Sequence, residues 1–202
     1  MSDLDRSIAA LGEGRIIVIA GDRYRRGDMD LAVAARCVTP EAINFMANHG
    51  RGLICLALTP ARAMKLGISL VNAGEARQSG RPFGRSIEAM TGVTTGISAA
   101  DRAHTVAVAV ADTATGDDLV CPGHVFPLIT AAGGAAERAA AAEAAIDLCR
   151  LAGAGDAAVI CSIMRDDGEM ARPDDIVNLV ERFHLPIAQI DELLNSGSSR
   201  VN

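Results

Sequence analysis

Short apolar runs alternate along the chain with amphipathic stretches of helical length. Continuous runs rich in β-branched residues predict buried strands at 15–20, 53–58 and 157–164, and shorter strands are predicted at 124–129 and 186–190. Capping residues, prolines and glycines delimit predicted helices at 41–48, 60–66, 99–110, 135–151 and 173–183. Because strands and helices interleave, we expect an α/β (α+β) fold.

The rest of the chain carries weaker signals. Residues 68–91 are punctuated by glycine and proline and are expected to be loop-rich. A final turn is predicted at 191–194, followed by a Ser/Gly-rich tail at 195–202 that is expected to fray. We find no internal repeat and no linker, so a single domain over 1–202 is predicted.

Composition narrows the class of protein. The 19 basic and 25 acidic residues give a net charge of −6, which argues against a nucleic-acid or anionic-membrane partner. The sequence shows no signal peptide and no apolar stretch of membrane-spanning length. The five cysteines are scattered without CxxC spacing, which disfavours a disulfide framework or a zinc site. These features predict a cytoplasmic protein.

A charged loop follows the first predicted strand, where α/β proteins often place ligands. Residues 21–28 read Gly-Asp-Arg-Tyr-Arg-Arg-Gly-Asp and carry a net charge of +1. Arginine guanidinium groups bind phosphate or carboxylate through paired donors, and glycine allows close backbone approach. The alternative is a solvated charged turn.

Three other segments could carry chemistry. The Gly/Thr-rich turn at 91–98 opens a helix and could bind an anion with its amides, or could simply be a capped turn. His124 is held between prolines, and an imidazole suits proton transfer near neutral pH. The acids at 166–169 are read as a tight turn rather than a magnesium site. The other histidines, His49, His104 and His184, are interpreted as structural.

Taken together, several long motifs resemble the 3,4-dihydroxy-2-butanone 4-phosphate synthase family. The matching stretches are at 38–55, 92–102, 122–128, 144–148, 151–153 and 166–172, within a collinear resemblance from about 13 to 193. The resemblance implies a three-layer α/β/α-type domain and a homodimer with active sites at the subunit interface. It also implies conversion of ribulose 5-phosphate into dihydroxybutanone phosphate and formate, with Mg²⁺.

The chain departs from the family pattern at functional positions. Tyr24 stands where the family has a metal-binding glutamate, and Ala141 where it has a metal-binding histidine. Ala142 replaces a phosphate-contacting threonine, and Ser162 replaces a catalytic glutamate. The functional residues that the resemblance preserves are Arg23, Asp28, Cys55, Thr94, Thr95, His124 and Arg138.

The first hypothesis is therefore a repurposed enzyme that uses no metal or other cofactor and acts on a small anionic, possibly phosphorylated, substrate. The expected substrate-binding residues are Arg23, Arg25, Arg26, Thr94, Thr95 and Arg138. The expected proton-handling residues are His124, Asp28, Cys55 and Tyr24. Two alternatives remain: a non-catalytic family member that binds a ligand or a partner subunit, and a genuine synthase with a compensating site.

Overall fold

A mixed seven-stranded sheet forms the centre of the computed structural model, which describes residues 2–71 and 81–199. Its strands are β1 (Ile17–Ala20), β2 (Asp30–Ala34), β3 (Arg51–Leu58), β4 (Ile87–Ala89), β5 (Leu119–Ile129), β6 (Ala157–Ile163) and β7 (Ile187–Gln189). The strand order is β4-β5-β3-β6-β2-β1-β7. The β3–β5 and β1–β7 pairs are parallel, and the other neighbours are antiparallel.

Helices cover both faces of this sheet. They are α1 (Asp3–Gly12), α2 (Pro40–Phe45), α3 (Pro60–Lys65), α4 (Ala99–Val110), α5 (Gly134–Glu137), α6 (Ala141–Leu151), α7 (Val177–Phe183) and α8 (Ile190–Ser199). A π-helical turn follows α2, and short 3₁₀ turns occur elsewhere. In the part of the chain that the structure describes, none of the helices is long and apolar enough to cross a lipid bilayer.

The side chains of each strand alternate between two separate cores, as the strand period of two requires. In β6, Val159 and Cys161 join a core with α2, α3 and α4, whereas Ala158 and Ile160 join a core with α1, α6 and α8. The expected three-layer α/β/α architecture is confirmed.

The register of the central strands brings polar groups to one end of the α6 face. Asp30 at the start of β2 pairs with Ser162 near the end of β6. On the neighbouring strands, Cys55 pairs with Phe126, and His124 lies two residues earlier in β5. Since alternate residues of a strand share a face, the side chains of Asp30, Ser162, Cys55 and His124 lie on the same side of the sheet.

Several predicted elements need correction. Strand β2, helix α1 and strand β4, which lies in the segment expected to be loop-rich, were not predicted. The helix expected at 135–151 is two helices, α5 and α6, because the chain is extended at Arg138 and Ala140 and the Ala139 carbonyl accepts a hydrogen bond from the Arg23 amide at 3.1 Å.

The C-terminal prediction was also wrong. Residues 191–194 do not form a turn but lie within helix α8, which continues to Ser199, so the tail is helical up to that point. The last three residues of the predicted tail, 200–202, and residues 72–80 of the predicted loop-rich segment lie outside the described residues.

Candidate active site

Asp22 organises the charged loop and docks it on the start of α6. Its buried carboxylate accepts backbone hydrogen bonds from Tyr24 (2.9 Å) and Arg25 (3.0 Å) at Oδ1, and from Ala141 (2.9 Å) at Oδ2. A carboxylate with several N–H donors is well satisfied inside a protein. The loop and the N-terminus of α6, where the resemblance places two metal ligands, are therefore joined by direct contacts.

The Arg25 side chain points inward, and its guanidinium group lies among carboxylates. Its Nε donates to Asp22 Oδ2 at 3.0 Å, its Nη2 pairs with Asp30, and its Nη1 lies 3.7 Å from Asp28 Oδ2. Burial alone disfavours the charged form, but the charges of Asp30 and Asp22 outweigh it and raise the pKa of Arg25 above its ordinary value. Arg25 is thus a fixed cation, and its predicted role toward a substrate is not favoured by these ion pairs.

Arg81 joins the same cluster from the other side. Its Nη2 donates to Asp30 Oδ1 at 2.8 Å and to Ser162 Oγ at 2.6 Å. The Ser162 hydroxyl in turn donates to Asp30 Oδ1 at 2.9 Å. Asp30 is fully buried, and these hydrogen bonds offset the cost of removing its carboxylate from water. We call Asp22, Arg25, Asp30, Arg81 and Ser162 the arginine–aspartate cluster.

The two exposed arginines of the loop are held more loosely. Arg23 Nη2 pairs with Asp191 at 2.7 Å, and both side chains are mostly exposed, so this pair is weak and easily exchanged. Arg26 has a left-handed backbone (φ 55°), and its carbonyl accepts a hydrogen bond from Arg172 at 3.1 Å. Arg172 also donates to Asp28 at 3.1 Å.

Arg138 is anchored beside the loop. Its Nη1 donates to Glu143 at 3.1 Å, and Glu143, which is fully buried, also accepts the Ala131 amide at 3.1 Å. The guanidinium carbon of Arg138 lies 4.7 Å from the centroid of the Tyr24 ring. A cation over an aromatic face is a favourable contact. Arg138 and Tyr24 therefore form a stacked pair at the loop.

His124 has a carboxylate partner, Glu88, on the neighbouring strand β4. Its Nδ1 lies 3.3 Å from both carboxylate oxygens. Such a contact favours the tautomer with hydrogen on Nδ1 and leaves Nε2 for proton exchange with a bound molecule. Gly96 packs so closely on Glu88 that an added Cβ would fall 1.3 Å from Oε1. The histidine motif and the Gly/Thr-rich turn are therefore adjacent.

Thr94 and Thr95 of that turn are exposed and differ in their contacts. Thr94 donates its hydroxyl to Asp101 at 2.9 Å, and Asp101 also accepts the Gly96 amide at 3.0 Å. Thr95 is exposed to solvent. Among the residues that the structure describes, no hydrogen bond joins His124, Thr94 or Thr95 to the loop at 21–28, so the predicted site residues form two groups without a direct hydrogen bond between them.

Cys55 is buried at the edge of the arginine–aspartate cluster. Its sulfur lies 3.7 Å from Arg81 Nη1, but burial dominates and raises the pKa of the Cys55 thiol to about 12. Burial likewise raises the pKa of Cys149 and Cys161 to about 12. Cys55 is therefore a protonated thiol near neutral pH, and any role would use the S–H form.

This assignment predicts selective thiol labelling. At about pH 8, iodoacetamide should modify the exposed Cys121 in the native protein and leave Cys55, Cys149 and Cys161 unmodified until the chain is unfolded, because the thiolate is the reactive form. Peptide mass spectrometry before and after urea gives the measurement. Labelling of native Cys55 as fast as Cys121 would contradict the buried, protonated thiol.

Sequence reasoning missed several residues of these groups, namely Asp22, Asp30, Arg81, Glu88 and Glu143. One signal was available: Asp30 is an isolated acid before the apolar run 31–35, and a carboxylate that enters a strand must be paired. The partners Arg81 and Glu88 come from the segment predicted as loop-rich, and only the fold reveals them.

The donor set differs from that of a metal centre. Among residues 2–71 and 81–199, no group of three or more His, Cys, Asp or Glu side chains is arranged to hold a metal ion. At the two positions where the family has metal ligands, Ala141 offers no side-chain ligand and the Tyr24 ring contacts Arg138.

Comparison with known proteins places this site in a family. The family model described as 3,4-dihydroxy-2-butanone 4-phosphate synthase matches residues 5–196. The riboflavin biosynthesis protein RibBA of Aquifex aeolicus is 45% identical over 193 residues, covering 95% of this chain and 48% of that protein. A 3,4-dihydroxy-2-butanone 4-phosphate synthase of Pseudomonas aeruginosa is 42% identical, covering 96% of this chain and 53% of that protein. The chain thus spans about half the length of these curated relatives.

A solved structure supports the same relationship. A crystal structure of 3,4-dihydroxy-2-butanone 4-phosphate synthase in complex with two magnesium ions superposes with a TM-score of 0.91 at 34% identity, covering 98% of both chains. Sequence and fold agree over nearly the whole chain, and the chain belongs to the 3,4-dihydroxy-2-butanone 4-phosphate synthase family.

Proposed function

We propose that this chain is a divergent, metal-independent member of its family that acts on a small anionic substrate. The observation that carries the proposal is the position of Arg25, whose guanidinium group lies among the carboxylates of Asp22, Asp28 and Asp30. The positively charged Arg25 side chain thus occupies the space between these carboxylates that a bound metal cation would need.

The residues present do not fit Mg²⁺. This ion needs near-octahedral oxygen ligands, usually including one or two carboxylates. The oxygens of Asp22 and Asp30 are engaged by guanidinium and amide donors, and Asp28 is shared between Arg25 and Arg172. A divalent ion there would also be repelled by Arg25. We therefore assign no step to a metal.

Anion binding is assigned to groups whose charge can be redirected. Arg23 is exposed, and its surface ion pair with Asp191 can be exchanged for a phosphate or carboxylate. Arg26 is exposed in the same loop, and Arg138 is anchored beside the loop by Glu143. From the second group of residues, Thr95 is exposed, and the exposed Thr94 binds Asp101 through its hydroxyl. His124, oriented by Glu88, is the proposed proton carrier, since the loop acids are already paired with arginines.

We further propose that two copies of the chain complete each site. The loop group and the His124 group are not linked by hydrogen bonds among the described residues of one chain, and a homodimer could bring the loop of one copy to the His124 group of the other. A symmetric dimer is the commonest oligomer and would create two equivalent sites.

The second candidate is a family member that binds a ligand or a partner subunit without converting it. The observation in its favour is that Asp22, Asp28 and Asp30 all carry arginine partners, which leaves His124 as the main candidate base among the predicted proton-handling residues. A genuine synthase with a compensating site is the third candidate.

Formate release distinguishes a genuine synthase from the metal-independent enzyme and the non-catalytic binding protein. Carbon-13-labelled ribulose 5-phosphate is incubated with the protein in Mg²⁺ and then in EDTA, and NMR follows formate, with an authentic synthase as positive control. We expect no formate in either condition. Mg²⁺-dependent formate, lost in His124→Ala, would establish the ancestral activity and overturn the proposal.

The anion site has its own test. Inorganic phosphate should bind the wild-type chain in a calorimetric titration, and Arg23→Gln should weaken that binding about tenfold, since charge-assisted hydrogen bonds contribute of the order of 1.5–3 kcal/mol. Arg15→Gln, which removes an exposed arginine paired with Glu13 away from the loop, is the matched control. Equal phosphate affinity in all three proteins would remove Arg23 from the site.

A further inference from the structure

Tyr24 is the single tyrosine of the chain, and the structure places it in the candidate site with its ring in the solvent. The side chain is 53% exposed, although its backbone amide is fixed by Asp22 at 2.9 Å. Tyrosine is enriched at binding interfaces, because its ring combines a large apolar contact area with a polar hydroxyl. The exposed ring therefore offers a contact area to a bound ligand.

Arg138 makes this ring part of a rigid surface. Its guanidinium carbon lies 4.7 Å from the ring centroid, and its Nη1 donates to the fully buried Glu143 at 3.1 Å. Only 18% of the Arg138 side chain is exposed, so the stacked pair has little freedom to rearrange. A pre-ordered contact surface binds with a smaller entropy loss than a mobile one.

The chemistry of this pair favours a planar ligand. An open-chain sugar phosphate presents hydroxyl groups, which need hydrogen-bonding partners that an aromatic face does not supply. A ring bonded directly to an anionic group can stack on the face of Tyr24 that Arg138 does not cover, while the anion extends past the ring edge toward the exposed Arg23. Tyr24 is thus suited to an aromatic acid and poorly suited to a polyol.

We propose that Tyr24 and Arg138 form a recognition platform that selects a planar, ring-bearing anion, of the class of aryl phosphates and aryl carboxylates. The inference rests on the proposed anion site and deepens it by naming the substrate class. In this assignment Tyr24 determines specificity, whereas Arg23 and Arg138 supply the charge.

Calorimetric titration of the full chain with phenyl phosphate and inorganic phosphate tests the platform. Phenyl phosphate should bind about tenfold more tightly than inorganic phosphate, the scale of one aromatic stacking contact. The margin should persist in Tyr24→Phe, which keeps the ring, and disappear in Tyr24→Leu, which keeps apolar bulk without it. The affinity for inorganic phosphate is measured in each protein, so that the margin is always taken within one variant.

The outcomes distinguish this inference from the proposed function. Equal binding of both anions, or a margin that survives in Tyr24→Leu, would overturn the platform while leaving the anion site in place. Absence of binding by either anion would overturn both. Circular dichroism of each variant checks that the fold is unchanged, and Tyr24→Phe keeps the test decisive if Tyr24→Leu is poorly folded.

Discussion

Replacing Arg25 by methionine is expected to lower the free energy of unfolding by about 3 kcal/mol, because removal of one partner from a buried ion pair leaves an uncompensated charge. The Arg25 side chain is 10% exposed, and it holds Asp22 and Asp30, which are almost completely buried. Methionine keeps much of the apolar stem but none of the donors. Urea denaturation at neutral pH measures the loss.

Two further variants separate charge from packing. Arg25→Lys keeps the cation without the forked donors and should recover part of the stability, since lysine cannot make the same paired hydrogen bonds. Arg23→Met, in the same loop but in an exposed pair with Asp191, should change stability by less than about 1 kcal/mol. If Arg25→Met and Arg23→Met lower the free energy of unfolding by the same small amount, Arg25 does not stabilise the buried carboxylates. The observation on which the proposed function rests would then be wrong.

Replacing Gly123 by alanine is expected to cost at least about 3 kcal/mol, the upper part of the range for overpacking. A Cβ at Gly123 would lie 2.1 Å from the Ile87 carbonyl oxygen and 2.5 Å from the Glu88 amide nitrogen. These are backbone atoms of the neighbouring strand β4, which no side-chain rotation can clear. The strand must move, and Glu88 must leave its position beside His124.

Gly133→Ala is the matched control. There the nearest atoms to an added Cβ are the Oε2 and the Cβ of the exposed Glu137 side chain, at 2.9 and 3.0 Å, so one surface residue must shift slightly rather than a strand. We expect less than about 1 kcal/mol, the usual effect of a surface substitution. The imidazole NMR signals of His124 should shift in Gly123→Ala and stay unchanged in Gly133→Ala. Similar stability of the two variants would show that β4 and β5 are not in the contact described.

The sequence predicted the buried strands well because their apolar runs are continuous, as at 53–58 and 157–164. Strand β2 (Asp30–Ala34) was not predicted, because it is short and alanine-rich and its pattern favours neither a strand nor a helix. The start of helix α1 is marked in the sequence by Ser2 and Asp5, which form a capping box before a helical pattern of apolar residues.

The candidate site shows a different limit. The arginines at 23, 25 and 26 make the loop basic, and summing the charges predicts an anion-binding loop. That sum cannot reveal that Asp30, on a strand that was not predicted, takes up the charge of Arg25. Long-range pairing decides which arginines face a ligand, and Arg81 and Glu88 enter the site by the same route.

The position of Tyr24 makes the unmodified protein its own optical probe. The chain has no tryptophan and a single tyrosine, so its near-ultraviolet absorption and emission beyond the phenylalanine bands come from one ring. That ring lies on the candidate site and touches Arg138. Quenching or enhancement of the intrinsic fluorescence on titration therefore reports directly on this loop, and a collection of small anions can be screened without a label, a known reaction or an engineered chromophore.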